Sequence, residues 1–311
     1  MNAALQVAFQ AAIMFLLILV GFFSYKKGVI TAKGNKQISN LLVSLVMPVL
    51  VFVSLQKEFD VRLLDGLLAS AVMAVVSHLL LMGAGVLFIR RENNPNVSVE
   101  RFALLYSNCA FMGIPLVDSL YGSDGILYLT AYITVFNLLM WTHGVAIMKG
   151  EAGLRSAAKA FLSPAVLAVV LGLVCFLLQI FLPPILLRPM EYLAGLNTPL
   201  AMIVSGVTIA QTDLKAAFLR RRVYYVQAFK LLIVPVFVLL AFSFLPIPEE
   251  VLNTGVLAAA CPSATSTIMF SYKFKRNAFY ASEQFALSTL LSAATMPFIL
   301  LLSDTLRSIF M

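Results

Sequence analysis

Ten apolar segments, an alternating distribution of basic residues and a proline pattern found in both halves read as an all-α membrane protein. The expected fold is ten transmembrane helices in two inverted five-helix repeats, with broken helices 4 and 9 crossing near the bilayer centre. The 311-residue chain is 61% hydrophobic and 12% charged, against roughly 25% charged in soluble domains.

The first apolar segment, 5–25, is followed by Lys26 and Lys27 and lacks the basic leader of a signal peptide. It is expected to persist as a helix with its N-terminus outside. Spans 2 (35–56) and 3 (63–89) follow, each near or above the ~20 residues that cross hydrocarbon. Arg90, Arg91 and Arg101 separate span 3 from span 4 (102–121), and Lys149, Arg155 and Lys159 separate span 5 (125–148) from span 6 (160–182). After span 7 (190–211), Lys215 and Arg220 to Arg222 lead into span 8 (223–246). Lys273, Lys275 and Arg276 divide span 9 (250–271) from span 10 (280–303). With Lys26, Lys27, Lys33 and Lys36, seventeen of the 22 basic residues fall in alternate loops. Four (Lys57, Arg62, Arg188, Arg307) fall on the other side, and Lys230 lies inside span 8. The excess of lysine and arginine makes those loops cytoplasmic and places both termini outside. Asp60, Asp65, Asp118, Asp124, Glu249 and Glu250 collect in the outer loops, so the +8 net charge reflects topology rather than a nucleic-acid surface.

Five helices per repeat force the two copies into opposite orientation. Span 2 reads Leu45-Val-Met-Pro48-Val-Leu-Val-Phe-Val-Ser54 and span 7 reads Leu196-Asn-Thr-Pro199-Leu-Ala-Met-Ile-Val-Ser205, a recurrence of leucine, proline, valine and serine at an offset of 151. Pro115 and Pro262 recur at 147. The repeats are assigned to 1–148 and 160–311.

Spans 4 and 9 are each interrupted, at Asn108-Cys-Ala-Phe-Met-Gly-Ile-Pro115 and Ala260-Cys-Pro262-Ser-Ala-Thr-Ser-Thr267. Proline removes a backbone donor and clashes with the preceding turn, so each span is expected to split into half-helices. At a rise of 1.5 Å per residue, Asn108 lies roughly 10 Å from one face and Pro262 roughly 18 Å from the other. Both approach the middle of a ~30 Å core. Paired interruptions in corresponding halves point to a transporter's substrate site. A half-helix that begins there presents unpaired amides and partial positive charge, which suits a carboxylate. Ser263, Thr265, Ser266 and Thr267 are candidates to cap the second break, and Asn108 offers an amide beside the first. The alternative is a pair of ordinary proline kinks whose hydroxyls satisfy backbone carbonyls.

Lys230, eight residues past Arg222, lies roughly 12 Å deep and is a functional candidate because a buried ammonium is costly. Its alternative is snorkelling to the cytoplasmic edge. His78 is the histidine deep in span 3, the repeat partner of span 8, and together the two are candidate proton-coupling groups. A structural, hydrogen-bonded imidazole is the other reading of His78. Asn137 either reaches the crossing or bonds to a neighbouring helix. Gly113 permits close backbone approach at the break. Cys109, Cys175 and Cys261 have no metal-ligand spacing and read as small core residues. No metal site or cofactor is expected.

At Asn108 to Leu116 and Tyr132-Ile-Thr-Val-Phe-Asn137 the sequence resembles the auxin efflux carrier family, which includes bacterial malonate-transporter-like members and the plant PIN carriers. The resemblance runs over essentially the whole chain. It implies a fold akin to bile-acid sodium symporters and sodium/proton antiporters, with a scaffold (5–56 and 160–211) and a mobile transport domain (63–148 and 223–303). It also implies a homodimer and an elevator motion, a binding role for Asn108, and crossing prolines at Pro115 and Pro262. Lys230 looks like the support-site lysine of the plant carriers, whose helix 3 aspartate has no acidic counterpart in Val75-Val-Ser-His-Leu79. The long cytoplasmic loop of many plant members is absent, which favours a bacterial inner-membrane protein.

These features read as a secondary active transporter of a small organic anion, a mono- or dicarboxylate of auxin-like or malonate-like type, with a proton-linked step as candidate coupling. The expected partners are the substrate, membrane lipid and a second copy of the chain. A sodium-coupled symporter of bile-acid type is the nearest rival and a passive channel or sensor the next. The chain lacks HExxH, GxSxG, paired intramembrane aspartates and a P-loop, so hydrolytic and ATP-driven functions lack their residues.

Overall fold

The computed structural model describes residues 3–90, 94–149 and 164–310, which are helical apart from connecting turns. Arg91, Arg155, Lys159 and the start of predicted span 6 lie outside the described residues. One antiparallel bridge, between Ser107 and Ser263, is the extended pairing among the described residues.

Helices α1 (Ala3–Lys26), α2 (Ala32–Ser54) and α3 (Val61–Phe88) follow the first three predicted spans. Thr31 starts α2 by accepting from Gly34 N at 3.1 Å, and Asp60 starts α3 by accepting from Arg62 N at 2.8 Å. Each side-chain oxygen satisfies an amide that the first helical turn leaves unpaired. The short α4 (Val97–Leu105) stops at extended Tyr106. A π turn at Cys109–Gly113 then leads into α5 (Ile114–Leu139), whose backbone breaks at Gly122 (φ 56°, ψ −143°), a conformation open to glycine. A second π turn, Met140–Gly144, joins α5 to α6 (Val145–Lys149).

The second half comprises α7 (Pro164–Leu178), α8 (Pro184–Gly195), α9 (Asn197–Ala210), α10 (Leu214–Leu219) and α11 (Arg221–Ser243). It ends with α12 (Glu249–Ala260), α13 (Ser266–Lys273) and α14 (Ala278–Phe310).

Seven helices among the described residues are long and apolar enough to cross a membrane. The sequence reading expects ten, and the difference has local causes. Predicted spans 4 and 5 run together as Cys109–Lys149 across the Gly122 break. Span 6 is described only from Pro164. Span 9 is divided into α12 and α13, of 12 and 8 residues, each too short to span alone.

The packing inverts the pattern of a soluble protein. Large apolar side chains such as Leu5, Phe9, Leu16 and Phe23 face outward from α1, while Ser77, His78, Gln227, Lys230, Asn253 and Gln284 are buried. That arrangement and the apolar helices define an integral, multi-pass membrane protein. Where α1 meets α9 the backbones touch: a Cβ on Gly206 would sit 2.0 Å from Ile18 O, and one on Gly21 would sit 2.3 Å from Ile203 O. Small residues permit this approach where lipid offers no hydrophobic drive for helices to associate.

Gly206→Ala is therefore expected to force α1 and α9 apart at a cost of about 1–3 kcal/mol, typical of overpacking. Thermal unfolding of the detergent-solubilised protein checks this, with Gly195→Ala as control because nothing lies within 4 Å of a Cβ there. Equal melting temperatures for both variants would show that the α1–α9 contact tolerates a methyl group.

Candidate functional site

The residue before a proline is pushed toward extended backbone, and Cys261 adopts φ −56° and ψ 146° where α12 ends. The chain stays non-helical to Thr265. Tyr106 is also extended, at φ −102° and ψ 108°. The two segments lie side by side: Asn108 N donates to Pro262 O at 2.7 Å, and Ala264 N donates to Tyr106 O at 2.9 Å. Each interruption thus supplies the partner that the other lacks. This is a crossing of two broken helices, held by reciprocal backbone bonds.

Polar side chains of α11 and α14 brace it. Lys230, fully buried in a π turn (Phe229–Ile233), donates from Nζ to Ser107 Oγ and, at 3.2 Å, to Ala259 O. The ammonium is directed at the crossing and does not snorkel. Ser263 Oγ donates to Ala103 O at 3.0 Å and receives Gln227 Nε2 at 3.3 Å, while Ser263 N donates to Ser288 Oγ at 3.1 Å. Gln227 is bonded in turn to Gln284.

Asn108 is 5% exposed, and its Nδ2 has no hydrogen-bond partner among the described residues. The same holds for the hydroxyls of Thr265, Ser266 and Thr267 on the far side of the second break. The expected capping role of these side chains is corrected. Thr265 occupies the N-cap of α13 in helical conformation and makes no side-chain cap bond, and Ser263 is committed to Ala103 and Gln227. Pro115 is also reinterpreted: the first break is at Tyr106 to Asn108, and Pro115 sits in the first turn of α5, where its missing donor leaves no gap. Gly113 abuts the second break, with its missing Cβ 3.4 Å from Cys261 Sγ.

His78 is buried with Nδ1 2.7 Å from Ala74 O, its ring centroid 5.6 Å from that of Tyr132 and 6.3 Å from that of Tyr106. It shares no hydrogen bond with Lys230 among the described residues; the two reach neighbouring residues, Tyr106 and Ser107. Asn137 is half-buried on α5, two residues before Leu139, whose carbonyl accepts from Tyr106 OH at 2.9 Å.

Sequence reasoning missed Glu100. This buried carboxylate accepts from Arg222 Nη2, Tyr280 OH and Asn94 Nδ2, each at 2.8 Å, and so ties α4 to α11 and α14. An acidic residue one position before cytoplasmic Arg101 looks like ordinary loop charge, and its partners lie 122 and 180 residues away. A cleft of about 590 Å³ lies elsewhere, lined by Lys57, Asp60, Ser123 and Asp124 among others, and holds no residue of the crossing. Among the described residues no group of three or more His, Cys, Asp or Glu side chains gathers to hold a metal ion.

In a multi-pass helical membrane protein, paired broken helices around a buried polar centre point to the class of membrane transport proteins. Comparison with known sequences gives the same class: a family model described as "Membrane transport protein" matches residues 7–162 and 153–300. The chain belongs to this family, that of the auxin efflux carriers. It is 27% identical over 272 residues to a "Putative malonate transporter" of Rhizobium meliloti, covering 83% of this chain and 84% of the relative. An "Uncharacterized transporter" of Methanothermobacter thermautotrophicus is 25% identical over 288 residues, covering 90% and 93%. The "Uncharacterized transporter YfdV" of Escherichia coli is 22% identical over 301 residues, covering 90% and 92%.

Arg222→Ala is expected to destabilise the protein by about 2–3 kcal/mol, since it strips a charge-assisted bond from buried Glu100, and Tyr280→Phe by about 1 kcal/mol. Denaturation of the purified variants measures both. Wild-type stability in each would mean that the Glu100 cluster does not hold α4 in place.

Proposed function

We propose that the protein is a secondary carrier of a small organic anion, a mono- or dicarboxylate, bound at the crossing of the two broken segments. The carrying observation is the pair of backbone bonds between Tyr106–Asn108 and Pro262–Ala264, beside which the amide nitrogen of Asn108 is buried without a partner among the described residues. A buried donor left unpaired costs free energy that a bound carboxylate would recover. The amides opening the π turn after Asn108 and α13 after Thr265 add partial positive charge. Lys230, one hydrogen bond away at Ser107, supplies a full one. The relative named for malonate transport fits the same substrate class.

In this reading the chain forms ten membrane-spanning helices as two inverted repeats, 1–148 and 160–311, with both termini outside a bacterial inner membrane. Helices from 5–56 and 160–211 act as the scaffold of a homodimer. Those from 63–148 and 223–303 carry the crossing past it as an elevator. Asn108 contacts substrate directly, with Gly113, Asn137, Thr265 and Ser266 around it. Pro262 and Ser263 fix the backbone of the second break, and Pro115 starts α5 beyond the first. Lys230, with His78 behind Tyr106, is the proton-linked element.

Binding is tested by thermal shift of the detergent-purified protein against malonate and related carboxylates, because a ligand that binds the folded state raises the melting temperature with concentration. Malonate or a close analogue is expected to stabilise the wild type, and Asn108→Ala to lose at least tenfold in affinity while remaining monodisperse. Normal affinity in Asn108→Ala would remove Asn108 from the site.

Coupling is tested in proteoliposomes. Lys230→Gln is expected to abolish acceleration of uptake by an imposed pH gradient, and His78→Gln to move the pH optimum. Gradient-driven uptake at the wild-type rate in Lys230→Gln would reduce Lys230 to a structural role, and uptake that stops when choline replaces sodium would establish sodium coupling instead.

A further inference from the structure

Cys109 and Cys261 flank the crossing from opposite segments. Cys109 directly follows Asn108 and Cys261 directly precedes Pro262, the two residues joined by the 2.7 Å backbone bond. Both thiols are fully buried. Cys175 is part-exposed on α7, in a different part of the chain.

Gly113 lies against both thiol-bearing residues. The position its Cβ would take is 3.4 Å from Cys261 Sγ and 3.5 Å from Cys109 Cβ. Laid end to end, those distances place Cys109 Cβ within about 6.9 Å of Cys261 Sγ. Two metal–thiolate bonds of roughly 2.3 Å each, opposed in a line, span roughly 4.6 Å.

We propose that Cys109 and Cys261 form a two-thiolate site for a soft monovalent cation, Cu⁺ or Ag⁺, that bridges the two broken segments. Thiolates select soft ions of this kind. Charge favours a monovalent ion over a divalent one. One monovalent ion with two thiolates carries a single negative charge, and the buried Lys230 ammonium stands beside both segments, bonded to Ser107 Oγ two residues before Cys109 and to Ala259 O two residues before Cys261. The assembly is then neutral as a whole, which suits a buried place where a net charge is costly. A divalent ion would leave the cluster cationic. In the binding step two S–H bonds break, two metal–sulfur bonds form and two protons pass to solvent, with no change in oxidation state. The site does not depend on the nature of the transported anion.

Silver is the convenient probe because it keeps one oxidation state. Purified wild-type protein, exposed to Ag⁺ and desalted, is expected to retain one silver per chain by elemental analysis. Cys109→Ala and Cys261→Ala should each retain none, and Cys175→Ala should retain it fully. Gly113→Val, which keeps both thiols but fills the space beside them, should lower retention at least tenfold. X-ray absorption of the wild-type Cu⁺ complex needs no variant and is expected to show two sulfur neighbours. Retention that follows Cys175, silver held by either single variant, no silver on the wild type, or a first shell without two sulfurs would overturn the site.

Discussion

Backbone hydrogen bonding at the crossing is the constraint on which the rest of the structure depends. A non-helical peptide inside a membrane leaves donors and acceptors that lipid cannot satisfy, at several kcal/mol per group. Two such segments solve the problem jointly, through Asn108 N to Pro262 O and Ala264 N to Tyr106 O. Neither segment is tenable without the other. The pairing therefore fixes the relative position of α4, α5, α12 and α13, and with it everything those helices carry into the protein's centre.

Short half-helices gain little stability of their own, so the crossing needs external bracing. α4 and the extended segment that follows it are pinned to α11 twice, by Glu100 to Arg222 and by Ser107 to Lys230. The pins are seven residues apart along the first stretch and eight apart on α11, so the two run side by side in the same direction. The second segment is held in the same manner by Ser263, which engages Ala103 on α4, Gln227 on α11 and Ser288 on α14. Partly satisfied polar networks are costly in an apolar interior, whereas satisfied ones specify a unique arrangement. Here Ser263 and Lys230 are bonded to the segments they brace, whereas the amide nitrogen of Asn108 has no partner among the described residues. That division separates groups that hold the backbone from a donor left unpaired among the described residues.

Composition and periodic charge made the helical membrane fold legible, because hydrophobicity and the placement of lysine and arginine act locally along the chain. The placement of Asn108, Pro262 and Lys230 at or beside the interruptions was legible for a similar reason: a polar or helix-breaking residue within an apolar run must be accommodated. Glu100, Gln227 and Gln284 were not legible, since nothing near them in sequence distinguishes a buried network from loop or interfacial polarity. Only the capping expected of Thr265 and Ser266 fails: serine and threonine near a helix start usually cap it, whereas Thr265 is itself helical and makes no side-chain cap bond.

The prolines show why position along the chain does not fix what a breaker does. Three π turns, Leu42–Val46, Cys109–Gly113 and Phe229–Ile233, each end two residues before a proline: Pro48, Pro115 and Pro235. A proline ring clashes with the carbonyl four residues back, and the wider turn moves that carbonyl aside. The residues before these prolines, Met47, Ile114 and Val234, accordingly remain helical. Only at Pro262 among these four does the preceding residue become extended. The first break is therefore not made by Pro115 at all. Pro262 opens one segment, and Tyr106 to Asn108 depart from the helix and pair with it.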